Sequence, residues 1–173
     1  MELKVKKGRP ADAFKRHPLE LAVYEMLDVH NIDYEYIDLE EEYPKAVLET
    51  WKPCQAFFLC NRQKKDYYLF LVDPMQKATV QSLSKALGIK LLINVNDEDF
   101  LEKLWIERDA LGLLALMNDP EQKIHLVLDK ALAKEATWII YPNVTSTLLR
   151  LKTDDIMKIL LPLLHPKYKQ IEL

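Results

Sequence analysis

The sequence predicts a mixed α/β (α+β) fold, with helices covering a mixed, mostly antiparallel sheet. Three observations carry that expectation. Stretches with apolar residues at helical spacing are intermixed with short β-rich runs along the whole chain. Two such runs, Gln55 to Asn61 and Tyr67 to Val72, are separated by the five polar residues RQKKD, which reads as a hairpin. The stretch from Leu111 to Leu151 then holds four short apolar runs bounded by turn chemistry. Gly112 to Met117 runs into Asn118-Asp119-Pro120, and Ile124 to Leu128 leads out of it; Trp138 to Tyr141 and Thr145 to Leu151 flank Pro142-Asn143. These are read as two antiparallel pairs in one sheet.

The elements follow in order. Residues 1 to 16 are basic and broken by Gly8-Arg9-Pro10, so they are expected as a loosely held arm or an added strand. Pro18 suits a first helical turn; Leu19, Val23, Met26, Leu27 and His30 give one apolar stripe, which Asn31 closes. Tyr34 to Leu39 reads as a strand ended by the solvated corner Glu40-Glu41-Glu42, and residues 45 to 53 as a helical turn or two. Thr79 is placed to cap a helix through Leu87, with Gly88 just past its end in the left-handed conformation. Leu91 to Val95 reads as a buried strand, and Asn96 to Asp99 as the charged start of a helix Phe100 to Ile106. Thr153-Asp154-Asp155 opens and caps a last helix with the stripe Ile156, Ile159, Leu160 and Leu163.

At 173 residues the expectation is an arm, 1 to 17, and one domain, 18 to 173. A net charge of −3 advertises no nucleic-acid binder globally, though a local basic face remains open. No apolar run approaches the roughly 20 residues that span a bilayer, and MELKVKKGRP lacks the apolar segment of a secretory signal. Cys54 and Cys60 are read as reduced core thiols, which points to the cytoplasm. With three glycines there is no phosphate cradle, and no GxGxxG, GxSxG or HExxH occurs. His17, His30, His125 and His165 are scattered without metal spacing and suit surface or helix-end positions. Neither a metal nor a cofactor is expected.

From about residue 18 to 164 the order of elements resembles the YbaK/aminoacyl-tRNA synthetase-associated family. Its members include free-standing deacylases that clear mischarged tRNA(Pro) and the editing insertion of bacterial prolyl-tRNA synthetases. The residues that carry the resemblance are CQAFFL (54 to 59), YYLFLV (67 to 72), VQSLSKALG (80 to 88), GLLALMNDPEQKIHLVLDKAL (112 to 132) and YPNVTSTL (141 to 148). They parallel family segments of the kind CKNLFL, YYLVVL, a helix ending in Leu-Gly, SPFGLINDxxxxVxVVIDxxL and HP…NTATV, with Asn118-Asp119 and Asp129 in the corresponding places. The resemblance implies a mostly antiparallel curved sheet covered by helices. It also implies hydrolysis, in trans, of the ester of a mischarged tRNA, with the acceptor end as partner and a synthetase as a second one.

The departures fall where that chemistry would sit. The family's active-site lysine corresponds to Gln55, Gly112-Leu113-Leu114-Ala115 replaces the Ser-Pro-Phe-Gly part of the substrate loop, Tyr141 replaces the histidine, and Val144 the asparagine. A deacylase must hold the terminal adenosine, size the amino acid, and set donors against the developing oxyanion. Gln55 keeps two donors but loses the charge. Lys52, three residues upstream, is the candidate replacement or else a surface lysine. Asn143, Thr145 and Ser146 either present polar groups at a pocket rim or bond their own turn; Tyr141 either stacks on adenine or fills core. The candidate substrate-binding set is therefore Gln55, Gly112, Leu113, Tyr141, Asn143, Thr145 and Ser146, converging on one small cleft. The other reading from the same residues is a non-catalytic module that binds a tRNA end, a nucleotide or a synthetase.

Overall fold

The computed structural model describes residues 2–40 and 42–173; Glu41 of the acidic corner lies outside them. Two sheets face each other across the main core. The first has the order β1 (Lys6–Lys7), β2 (Tyr34–Asp38), β8 (Thr147–Lys152), β7 (Thr137–Ile140), with every neighbour antiparallel. The second is mixed, in the order β5 (Ile93–Asn94), β3 (Gln55–Cys60), β4 (Tyr67–Val72), β6 (Ile124–Asp129), β9 (Lys169–Ile171). Its β5–β3–β4 part is antiparallel, whereas β4–β6 and β6–β9 are parallel. The sheets meet where the Cys54 N–H, just ahead of β3, donates to the Ile139 carbonyl at 3.0 Å.

Period-two alternation sorts the strand side chains between layers. Phe58, Cys60, Leu69, Leu71, Leu126 and Leu128 face Tyr34, Tyr36, Trp138, Ile140, Leu149 and Leu151 in the main cluster. Helix α1 (Pro18–Val29) and helix α4 (Asp97–Leu104) close that cluster with Val23, Tyr24, Leu27, Phe100 and Leu104. Leu59, Phe70, Val72 and Val127 point the other way, under helix α3 (Val80–Leu87). The outer face of the first sheet carries Ile37, Ile139 and Leu148 against Trp51, from the short helical segment α2 (Lys45–Leu48) and the 3-10 turn Glu49–Trp51 behind it.

The turn chemistry works as its residues dictate. Thr79 and Ser82 cap α3 reciprocally, and Gly88 ends it with φ of 77°. Asn31 follows α1 with φ of 54°, and the Asn96 side chain accepts from Asp99 N–H at the start of α4.

Several expectations are corrected. The run Leu113–Asn118 is a 3-10 helix, not a strand, and β6 pairs in parallel with β4 in the second sheet. A continuous apolar run has no period, and here every residue from Leu113 to Leu116 is buried, which a strand with one covered face does not require. Around β5, Leu92 and Val95 are buried while Leu91 and Ile93 are exposed, so that segment is an edge strand. Helix α4 starts at Asp97 rather than Phe100 and stops at Trp105, which adopts φ of 60°. The last helix runs through α5 (Thr153–Asp155), a π-helical turn Ile156–Leu160 and α6 (Leu161–Leu164). The wider π turn rotates the stripe, so Leu161 and Leu164 are buried and Leu163 is 43% exposed. Asp154 and Asp155 make no side-chain cap; they sit in the first turn, where their charge suits the helix dipole.

Residues 2 to 16 lie along the first sheet. Arg16, within this segment, donates to Asp12 at 2.9 Å, Glu20 at 2.9 Å, Asp38 at 2.9 Å and 3.2 Å, and Thr147 at 3.2 Å. Tyr24 also donates to Glu20, which is only 2% exposed.

Candidate functional site

Strand β3 places Gln55 on the same face as Phe57 and Leu59, the face packed under α3. Its Nε2 donates to the carbonyls of Asp73 at 2.9 Å and Gln76 at 2.7 Å, in the link between β4 and α3. A primary amide nitrogen has two hydrogens, and both are used. Gln55 therefore has no donor left for an ester carbonyl.

Gly112 and Leu113 lie on the opposite side of that sheet. Leu113 and Leu114 are fully buried in the main cluster, and Gly112 is extended (φ −175°), with open space where a Cβ would project. The loop is anchored at its far end by Asn118 Nδ2 donating to the Leu104 carbonyl, and by Asp119 accepting from the Lys123 and Ile124 N–H groups. Asn143 joins it to the bend at 141 to 147. That residue is 4% exposed, has φ of 63°, and donates from Nδ2 to the Leu114 carbonyl at 3.1 Å. Its Oδ1 is buried without a partner among the described residues.

Tyr141 is half-buried and packs towards the Trp51 cluster, where burial and then Asp109 push its hydroxyl above the ordinary tyrosine range. Thr145 is exposed. Ser146 lines, with Thr147, a polar cavity of about 340 Å³ beside Arg16, Glu20 and Asp38. Among the described residues, the bend and the Gly112 loop are thus brought together, while the Gln55 side chain is directed elsewhere.

A different cleft forms at the corner where the two sheets meet. About 240 Å³ in volume, it is lined by Lys52, Cys54, Asp73, Glu135, Thr137, Trp138 and Arg150, among others. The 3-10 turn ending at Trp51 delivers Lys52, and Pro53 leads the chain from there into β3. Lys52 is exposed and makes no ion pair or hydrogen bond among the described residues. Arg150 lies over the Trp51 ring at 4.6 Å and donates to Glu35 at 2.8 Å and 3.0 Å. Asp73 is 5% exposed; its N–H donates to Asp129 Oδ2 at 3.1 Å and its Oδ1 accepts from Met75 N–H at 2.9 Å. A hydrogen bond with Asp73 is the main cause that raises the Glu135 carboxyl above its ordinary range. Burial, then the Asp73 charge, pushes the Cys54 thiol up to about 12, so it carries no thiolate nucleophile at neutral pH.

Sequence reasoning singled out Lys52 in this cleft but not Asp73, Glu135 or Arg150. Those three are far apart in the chain and share no spacing. The one local signal was an aspartate directly after the wholly apolar strand YYLFLV. No cluster of histidine, cysteine and carboxylate groups fit for a metal exists among the described residues, and no helix is long and apolar enough to cross a membrane.

The two-sheet fold is shared with a known class. The model of the aminoacyl-tRNA editing domain family matches residues 38–159, and the chain belongs to that family. The prolyl-tRNA editing protein ProX of Acetoanaerobium sticklandii is 25% identical over 144 residues, which cover 80% of this chain and 88% of that protein. Two solved structures share the fold. One, described as a candidate trans-editing enzyme for prolyl-tRNA synthetase, has a TM-score of 0.63 at 14% identity and covers 91% of this chain and 99% of its own. The other, a scaffold from computational epitope grafting, has a TM-score of 0.66 at 14% identity over 91% and 97%.

Proposed function

We propose that the chain is a divergent editing protein that hydrolyses, in trans, the ester of a mischarged tRNA, using the corner cleft and Lys52 in place of the family's lysine. The observation that carries this reading is an unpaired ammonium, Lys52, at the rim of a cleft floored by Trp138 and Leu132. Water attacks the ester carbonyl, the carbon becomes tetrahedral, and the Lys52 ammonium stabilises the negative oxygen. The acyl–oxygen bond then breaks, the proton from water ends on the ribose hydroxyl, and free amino acid and tRNA leave. The acceptor end is the partner, and Lys52 with Arg150 supplies positive charge near its phosphates.

One observation favours a second reading, a binding module without catalysis: both Gln55 donors are consumed by backbone carbonyls. Deacylation of a panel of mischarged tRNAs by the purified protein separates the two. Under the first reading Lys52→Ala lowers turnover on the order of 10²-fold, and Gln55→Lys gives no gain. Silence of the wild type across the panel with tRNA binding retained selects the second, and a Lys52→Ala variant as fast as wild type removes Lys52 from the chemistry.

A further inference from the structure

The second sheet carries an aromatic pair at its other end, roughly 15–20 Å along β4 from the corner cleft. Tyr68 and His125 are register partners on β4 and β6, and their rings stack with centroids 4.9 Å apart and 26° between planes. Both lie on the α3 side of the sheet, the side of Phe70 and Val127. Phe70 is fully buried and backs the Tyr68 ring at 6.3 Å, so the pair is seated on core. Its outer part is open, with the His125 side chain 51% exposed. Four cations flank it. Lys169 is the register partner of Val127, Lys167 lies two residues ahead of it, and Arg62 and Lys65 come from the turn between β3 and β4. All four are exposed, and none forms an ion pair among the described residues. The turn is held in one shape, since Asn61 Oδ1 accepts from the Lys65 and Asp66 N–H groups at 2.9 Å and 3.1 Å. The nearby acids are engaged. Asp66 accepts from Asn61 Nδ2 at 3.1 Å and lies 3.5 Å from His125 Nε2, and Glu121 pairs with Lys123 at 2.7 Å.

Rings seated on a rigid sheet face, with unpaired positive charge to either side, suit an unpaired nucleic-acid strand. Its bases stack on the rings and its phosphates meet the lysines and the arginine. A duplex keeps its bases stacked on one another and offers such rings only its backbone and groove. An acidic polypeptide would satisfy the cations and leave the rings without a partner. We propose that the Tyr68–His125 face binds single-stranded nucleic acid, RNA or DNA, with little regard for sequence. A net charge of −3 conceals such a face, because binding follows the local distribution of charge and not its sum. The face is separate from the corner cleft and needs no aminoacyl group, so it does not rest on the ester-directed reading above.

The test is fluorescence anisotropy of the full chain with labelled oligouridylate and oligothymidylate, a blunt RNA duplex, and poly-L-glutamate as competitor. The unpaired strands are expected to bind at low salt, with log Kd rising against log salt at a slope of about 2–3 as three or four phosphates are met. His125→Ala should weaken binding about tenfold, and His125→Phe, which keeps a ring to stack on, should retain most of it. Lys167→Gln combined with Lys169→Gln should flatten the salt slope by about 1.4. Binding of RNA, of DNA or of both in this pattern supports the proposal. It is overturned by no binding of either unpaired strand, by equal affinity for the duplex, or by poly-L-glutamate competing as well as unlabelled oligouridylate. His125→Ala binding as tightly as wild type overturns it too. Should that variant fail to fold, the wild-type comparison of unpaired strand, duplex and poly-L-glutamate still decides. Deacylation of mischarged tRNA without oligonucleotide binding removes this face and leaves the hydrolase reading; oligonucleotide binding without deacylation of any tRNA does the reverse.

Discussion

Single residues divide the molecule into parts that were legible and parts that were not. Glu20 sits in a stretch whose apolar spacing marks α1, yet it is buried on the helix's inner face. Nothing near it in sequence signals this, because Asp38 and Thr147, which complete the Arg16 network around it, come from strands elsewhere in the chain. Removing the guanidinium strands a buried carboxylate, so Arg16→Ala should cost about 3–5 kcal/mol in urea unfolding. The same network sets a pH response. Burial opposes ionisation of Asp38, but hydrogen bonds from Arg16 and Lys6 outweigh it and hold its carboxyl below the ordinary range. That contribution to stability is complete above the unfolded value, about pH 4, and is lost as pH falls through the lower folded one. Wild type should therefore lose more stability than Arg16→Ala between about pH 4 and pH 2, which acid titration of the urea midpoint checks. Cys54 offers a simpler test. With its thiol pushed up to about 12, it should resist iodoacetamide at pH 7.5 in the folded protein and react once urea unfolds it; fast labelling of the native state refutes the raised thiol.

At the scale of elements, what the sequence made readable was punctuation. Thr79, Gly88, Asn31 and Asn96 each announced a helix end because a cap demands a particular side chain or a left-handed backbone. Unpunctuated apolar runs were unreadable in kind: Leu113–Leu116 has the composition of a buried strand and the conformation of a 3-10 helix. The π turn at Ile156–Leu160 shifts a stripe by an amount no fixed period anticipates. The end of α4 is a local conflict, since Trp105 holds φ of 60° while 70% exposed. A left-handed residue with a Cβ costs roughly 1–2 kcal/mol, and glycine returns part of that through the unfolded chain. Trp105→Gly should thus raise stability by about 0.5–1 kcal/mol, and a lower melting temperature would mean that the indole makes contacts of its own.

Across the whole molecule, the placement of the final strand was the least foreseeable feature. The segment Lys169–Ile171 is short, polar and preceded by Pro166, yet it pairs in parallel with β6 and gives the second sheet its outer strand. Chain ending after Lys167 would bare the backbone edge of β6 and uncover Val127, which shares a cluster with Ile171. Such a variant is expected to self-associate, seen as a concentration-dependent shift in size-exclusion elution; a monodisperse, equally stable truncation would contradict it. The helix-and-strand order was readable through most of the chain because each element advertises itself locally. Of the charged residues lining the corner cleft, the sequence singled out Lys52 alone, because a cleft built at a junction of two sheets depends on which strands become neighbours.

The loop Asp73–Gln76 has a consequence for any attempt to reinstate the family's lysine. Its two carbonyls form a clasp that would seize an ammonium as readily as an amide, and would hold it on the helix side of the sheet. Position 55 is in that sense a trap for charge, and Gln55→Lys would leave its ammonium on the helix side rather than in the corner cleft.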